Sequence, residues 1–211
     1  MKSRDRIINA AIPVFANKGR HGAHMEEIAN SAHINKAMIY YIFHNKDELY
    51  FEVLKYIIDQ AYLFMHDSTW GEAHTPMDYR NQISRIITAM ITFFNENKNY
   101  TKLFVDSLSN GSEEIPRVVR QVKNLHEDKD PLKSTRLLFN NGKKEKIIRD
   151  INTDHLIISI IGMVVVYYIS GSISEVFDIE ITDENEFRES RRKHIIDLVL
   201  NSIMVKKKQS G

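Results

Sequence analysis

"HINKAMIYYIFHNKDEL", residues 33–49, crowds apolar side chains and two adjacent tyrosines into a short run that also carries Lys36 and Lys46. A run this apolar ordinarily disappears into a core, yet ammonium groups and phenols keep an end in water. The two demands are reconciled if residues 36–43 form a very short helix with unlike faces. At helical spacing Ile39, Ile42 and Phe43 share one side. Lys36, Ala37, Tyr40 and Tyr41 share the other, with Met38 at the edge. A helix of about two turns is not stable alone, so neighbouring helices must hold it.

Just upstream, residues 25–31 read as a second short helix, with Ile28 and Ala29 facing inward and Ile34 filling the turn. Ala29 is small where the two helices would cross closely. Together they make a helix-turn-helix, whose second helix enters a DNA major groove while flanking groups hold phosphates. Lys36 can reach a phosphate or a guanine edge, and Ala37 can touch a thymine methyl. The phenols of Tyr41 and Tyr40 can donate to phosphates, and Lys46 brings a cation to a helix N-terminus that itself favours phosphate. A helical core segment whose tyrosines face partner helices fits the same residues, and spacing alone leaves both readings open.

Outward from this stretch, apolar residues recur at three- and four-residue steps through most of the 211 residues, which predicts an all-helical protein. A first helix spans about Arg4 to Asn17, with Ile7, Ala11 and Phe15 on one stripe, Ile8 and Ile12 beside it, and Lys18-Gly19 as its stop. Pro13 removes a backbone donor within it and predicts a kink. Asn45, with Glu48 three residues on, caps a longer helix that continues to about His66. Thr75-Pro76 opens a helix to about Asn97, and another covers roughly 100–109. Asn110-Gly111-Ser112 breaks the pattern, with Ser112 capping the next helix. Asp130-Pro131 starts a helix ending at Asn141-Gly142. Thr153 or Asp154 begins an apolar helix reaching about Phe177, and a last helix spans about Glu184 to Lys206, followed by a basic tail.

Composition narrows the chemistry. The net charge is +1, so any nucleic-acid affinity must come from a local patch. Residues 1–50 hold seven cations against five anions, so placement matters more than excess. Cysteine is absent, which removes disulfides, thiolate ligands and cysteine nucleophiles. The N-terminus lacks the apolar core of an export signal. "LIISIIGMVVVYYI", residues 156–169, is too short to span a bilayer. A cytoplasmic protein with no membrane partner is expected. No Gly-rich phosphate loop, nucleophile elbow or HExxH motif is present, and the adjacent pairs Glu26-Glu27 and Glu113-Glu114 diverge on a helix. Neither an enzyme nor a cofactor is expected. Of the histidines, only His21 and His24 approach a metal-ligand spacing, and no metal site is expected.

Residues 4–50 resemble the DNA-binding domain of the TetR family of bacterial transcriptional regulators. "VFANKGRHG" is similar to the family's opening. "MEEIANSAHINKAMIYYIFHNKDELY" follows its helix-turn-helix, including Tyr40, Phe43, Asn45-Lys46 and Glu48-Leu49. Three positions depart. His33 stands where the family usually has Gly, and carries the cost of a left-handed backbone if φ is positive there. Ala23-His24 replaces a Thr/Ser pair, removing a hydroxyl cap and a usual phosphate contact. Ala37-Met38 replaces Gly-Thr at the start of the recognition helix, which alters the expected base preference.

The resemblance implies an all-α chain with an N-terminal three-helix helix-turn-helix DNA-binding domain at 1–46. A C-terminal helical effector-binding and dimerisation domain then covers 47–211. DNA contacts are expected from Lys36, Ala37, Met38, Tyr40, Tyr41, His44 and Lys46, with His44 standing where the family often carries a cation. The implied function is a ligand-responsive repressor that binds a palindromic double-stranded operator as a homodimer and is released by a small-molecule effector. A helical ligand-binding or adaptor dimer that does not read DNA is the alternative. The helix near 154–177 is apolar nearly all round and must be covered on every side, by its own domain or by a partner subunit. With the helix near 184–206, whose Ile195, Leu198, Val199, Ser202 and Ile203 form a stripe, it is the expected dimer interface. An apolar or aromatic effector would be lined by Trp70, Met90, Phe93, Phe94, Phe104, Leu108, Phe139, Met163 and Tyr167.

Overall fold

Helix α1 (Ser3–Gly22) buries Ile7, Ile8, Ala11, Ile12 and Phe15, the stripe its spacing predicts. These and the following elements come from a computed structural model that describes residues 3–69, 71–109, 113–169 and 177–205. Pro13 sits inside α1, and the departure from helical dihedrals falls instead at Gly19 (φ 67°, ψ 174°), the expected stop. Next come α2 (Met25–Ala32), α3 (Lys36–Phe43), α4 (Lys46–Thr69), α5 (Pro76–Glu96), α6 (Lys98–Ser109) and α7 (Glu114–Leu125). A 3-10 turn at Glu127–Lys129 precedes α8 (Pro131–Lys144), α9 (Thr153–Ile169) and α10 (Glu184–Ile203). Among the described residues the β structure is one isolated bridge, Ile148 with Met204. The all-α expectation holds.

Local chemistry sets the helix starts. The hydroxyl of Thr75 accepts from Asp78 N (3.2 Å) while the Asp78 carboxylate accepts from Thr75 N (2.8 Å), a reciprocal capping box on α5. Asp130 accepts from Leu132 N and Lys133 N to cap α8. Asp183 accepts from Asn185 N and Glu186 N to cap α10, and these bonds hold its carboxyl below the usual range. For α9 the cap is Asn152, whose side chain accepts from His155 N, one residue before the expected start. Residues 170–176, through which this helix is expected to continue, fall outside the described residues, as do the Ser112 cap and the basic tail; Phe177, its expected end, lies in a turn.

The chain divides into two compact units. The first comprises Met1–Tyr62 and Phe94–Asp128, the second Leu63–Phe93 and Lys129–Gly211. Helices α4 and α5 therefore each contribute residues to both. In the first unit Phe15, Ile28, Ile39, Phe43, Leu49 and Val118, drawn from five helices, are 0–1% exposed. Burying a side chain of this kind stabilises by roughly 1.5–3 kcal/mol, which is how a two-turn α3 persists. Phe15 meets Tyr50 edge-on at 5.1 Å.

The second unit is centred on Tyr79, Ile83, Ile87, Phe139, Val164 and Val199, all buried. Burial, with Glu145 nearby, pushes the Tyr79 phenol up to about 12. Gly142, expected as the end of α8, lies inside it. A Cβ there would sit 2.6 Å from Ile148 Cδ1 and 2.9 Å from Tyr79 Cε1, so the glycine permits a close approach. The chain leaving α10 closes on the same corner: Arg149 N donates to Ile203 O (2.8 Å) and Val205 N to Ile147 O (2.9 Å).

Candidate DNA-binding site and ligand grooves

The turn between α2 and α3 ends in a Schellman motif. Ile34 N donates to Ala29 O (3.0 Å) and His33 N to Asn30 O (3.1 Å), with His33 left-handed at φ 53°, ψ 49°. The position flagged by its missing glycine does carry a positive φ. At the other end of α2, His24 has extended dihedrals and no side-chain cap bond, so the lost hydroxyl is not replaced. Two cations from other helices hold the carbonyls beside these ends. Arg6 Nη2 donates to Ala32 O (2.6 Å) and His33 O (3.2 Å). Lys46 Nζ donates to His21 O (3.0 Å) and Ala23 O (3.2 Å).

Asn35 caps α3 by accepting from Ala37 N at 2.8 Å. Ile39 and Phe43 are 0% and 1% exposed and Ile42 is half-buried, so the inward face is as the spacing predicts. Lys36, Ala37, Met38, Tyr40 and Tyr41 are all exposed, with the Tyr41 ring 82% in solvent. The helix ends at His44 (φ 55°, ψ −47°), across which Asn45 N donates to Phe43 O in a γ-turn of the strained hand. Asn45 accepts from Glu48 N (2.8 Å), but the Glu48 carboxylate turns to His44 Nδ1 (3.1 Å), so the reciprocal half of the predicted capping box is replaced by this pair.

Most of the cations nearby are engaged within the protein. Arg4 pairs with Glu52 and lies over the Phe43 ring at 5.5 Å. Lys18 pairs with Glu27. Arg20 reaches Asp47 (3.0 Å) and Glu114 (2.6 Å). Its hydrogen bond to Asp47 raises the Arg20 pKa and lowers that of Asp47. Among the described residues of 3–50, Lys36 is the cation with no partner, and it stands at the first turn of α3. Lys46 is half-buried and uses two of its three donors on carbonyls, which leaves one for a phosphate. The outward face thus offers one ammonium, one methyl, one thioether and two phenols. That set suits base edges and phosphates.

The residues named for an effector pocket divide between the units. Phe94, Phe104 and Leu108 belong to the first, where Phe94 and Phe104 pack at 6.2 Å and Leu108 is exposed. Met90, Phe93, Phe139, Met163 and Tyr167 belong to the second, and Phe93 and Phe139 are core. Trp70 lies outside the described residues. Tyr167 borders a cavity with Tyr168, Arg188 and Arg191 whose volume, about 10 Å³, holds no more than a water. A larger groove of about 710 Å³ lies between the end of α4 and α5, lined by Phe64, Asp67, Ser68, Arg85 and a hydroxyl stripe at Ser84, Thr88 and Thr92. Phe64 is the aromatic side chain in its lining, so aromatic and methionine content gives little sign of it. The stripe's i, i+4, i+8 spacing was its visible signal.

Among the described residues no group of three His, Asp or Glu side chains could hold a metal ion, and no helix is long and apolar enough to cross a membrane.

Residues 7–53 match the family of bacterial regulatory proteins of the tetR family. The transcriptional activator FasR of Mycolicibacterium smegmatis is 30% identical over 121 residues, 57% of this chain and 52% of FasR, so the match spans about half of that relative. The biofilm operon negative regulator IcaR of Staphylococcus aureus is 26% identical over 192 residues, 88% of this chain and 93% of IcaR. The fold is similar to that of the regulator FadR from Bacillus subtilis, solved with stearoyl-CoA, at a TM-score of 0.70 and 16% identity, covering 94% of this chain and 98% of FadR. The helix-turn-helix described above lies within the matched residues, so this N-terminal segment is similar to the DNA-binding segment of the bacterial regulatory proteins of the tetR family.

Proposed function

We propose that the protein is a cytoplasmic, ligand-responsive repressor that binds a palindromic operator as a homodimer and is released by a small-molecule effector. Residues 1–46 read DNA in this scheme, and 47–211 bind the effector and dimerise. The observation that carries the reading is the outer face of α3, where Lys36, Ala37, Met38, Tyr40 and Tyr41 are presented to solvent by a helix anchored on its other face by the buried Ile39 and Phe43. His44 and Lys46 flank it and supply phosphate contacts.

Two such helices must lie about one DNA turn apart to engage both half-sites. An effector that binds better to a differently spaced dimer would draw the protein off DNA. Ile158, Gly162 and Val166 form a stripe along α9 that is apolar and accessible in the single chain, and Leu198 on α10 is half exposed. These support a dimer through α9 and α10. Ile195, Val199 and Ile203, also named for that interface, face the protomer's own core.

The test is a mobility-shift titration on DNA flanking the gene, repeated across salt concentrations. Specific binding with a steep salt slope is expected. Tyr41→Phe should weaken all sequences, whereas Lys36→Ala should change sequence preference. If both variants bind the operator as the parent does, α3 is not the reading element. Transcription from the operator in vitro then separates repression from activation.

A further inference from the structure

The groove between the end of α4 and α5 combines an apolar surface, to which Phe64 and Ala89 contribute, with a set of charged and hydroxyl groups. Asp67 and Arg85 give one charge of each sign, so the lining is electrically balanced. Ser84, Thr88 and Thr92 form a row of hydroxyls along α5, each able to donate and accept. Thr88 Oγ accepts from Arg192 Nη1 at 3.3 Å, which leaves its own proton to donate into the groove. Arg192 is in turn held by Glu189. Opposite, the Phe64 ring is fixed by Phe93 at 5.6 Å and stays 36% exposed. At about 710 Å³ the groove is of small-ligand size.

We propose that this groove binds a neutral polyhydroxylated ligand, a sugar ring or short saccharide. A sugar ring offers C–H bonds on a face, to lie on Phe64, and hydroxyls around its rim, to exchange hydrogen bonds with Asp67 and the stripe. An alkyl chain would strip water from the hydroxyls without replacing their hydrogen bonds. A net anion would meet Asp67, and a net cation Arg85. The inference rests on the reading that residues 47–211 bind an effector. It also ties the ligand to α4, the helix that carries Lys46 at its other end.

The experiment is isothermal titration calorimetry on the full chain without DNA, using glucose, N-acetylglucosamine and trehalose, with glucuronate, glucosamine and octanoate as charged or apolar comparisons. A saturable heat with a neutral sugar is expected. Ser84→Ala and Asp67→Ala should each weaken it roughly tenfold, the loss of one hydrogen bond, with an unchanged ligand-free melting temperature. Absence of saturable binding by all three neutral sugars overturns the proposal. So does binding that both variants retain, or tighter binding of a charged or apolar comparison that both variants abolish. A protein that shifts the operator but binds no sugar refutes this inference alone, and one that binds sugar but no DNA refutes only the regulatory scheme.

Discussion

His33→Gly should stabilise the protein. His33 holds φ 53°, ψ 49°, the left-handed region, where a side chain's Cβ costs roughly 1–2 kcal/mol. Glycine removes that cost but loses more backbone freedom on folding, about 0.5–1 kcal/mol. The imidazole is exposed, and the bonds made at this residue run through its backbone: its N–H to Asn30 O and its carbonyl from Arg6. Glycine keeps all of them. The net gain is about 0.5–1 kcal/mol, or roughly 1–4 °C in melting temperature for a chain of this size. Urea unfolding followed by circular dichroism should show a higher midpoint at an unchanged slope. His33→Ala retains the Cβ and should show no gain. Because His33 is off the outer face of α3, operator affinity should stay the same. A glycine variant no more stable than His33→Ala would mean that the turn stores no strain.

Gly142→Ala should act in the opposite direction. Crowding against Ile148 and Tyr79 costs about 1–3 kcal/mol and exceeds the gain of about 1 kcal/mol in helix propensity, so the urea midpoint should fall. Asp78 should contribute to acid sensitivity. Hydrogen bonds from the Thr75 side chain, then the Thr75 and His74 backbones, lower its folded pKa. Its stabilisation is therefore present above the unfolded pKa and lost as pH falls through the folded one. Asp78→Asn should flatten that acid limb of a pH–midpoint curve, and an unchanged limb would refute the assignment. Gly162→Leu fills open space on the accessible stripe of α9 and should convert a sedimenting dimer to monomer. A persistent dimer would place the interface elsewhere.

Features that depend on near neighbours in sequence were the legible ones. Asn45, Thr75 and Asp130 mark helix starts because their side chains bond amides two or three residues on. Gly19 marked a stop, and the two faces of α3 followed from spacing alone. What stayed hidden depends on partners far along the chain. Lys46 reads as an outward cation until the carbonyls of His21 and Ala23 are brought to it. Arg6 gives no local hint that it holds the end of α2. Gly142 looks like a terminator because its neighbour Tyr79 is on another helix. The hydroxyl stripe on α5 is visible as i, i+4, i+8 spacing, but nothing in the spacing separates it from an ordinary solvated face. Polar groups on a half-exposed helix face ordinarily report only solvent.

The abrupt backbone turns at His33 and His44 have one more consequence. They cut α3 to eight residues and fix where it begins and ends, while Ile39 and Phe43 fix its roll. If α3 enters a major groove as proposed, its register there is decided by residues that face away from the DNA. The outward positions 36, 37, 38, 40 and 41 can then be exchanged as a set without disturbing the scaffold. On the proposed reading of DNA by α3, a change of operator is a matter of rewriting five letters, and the same frame can host a different address.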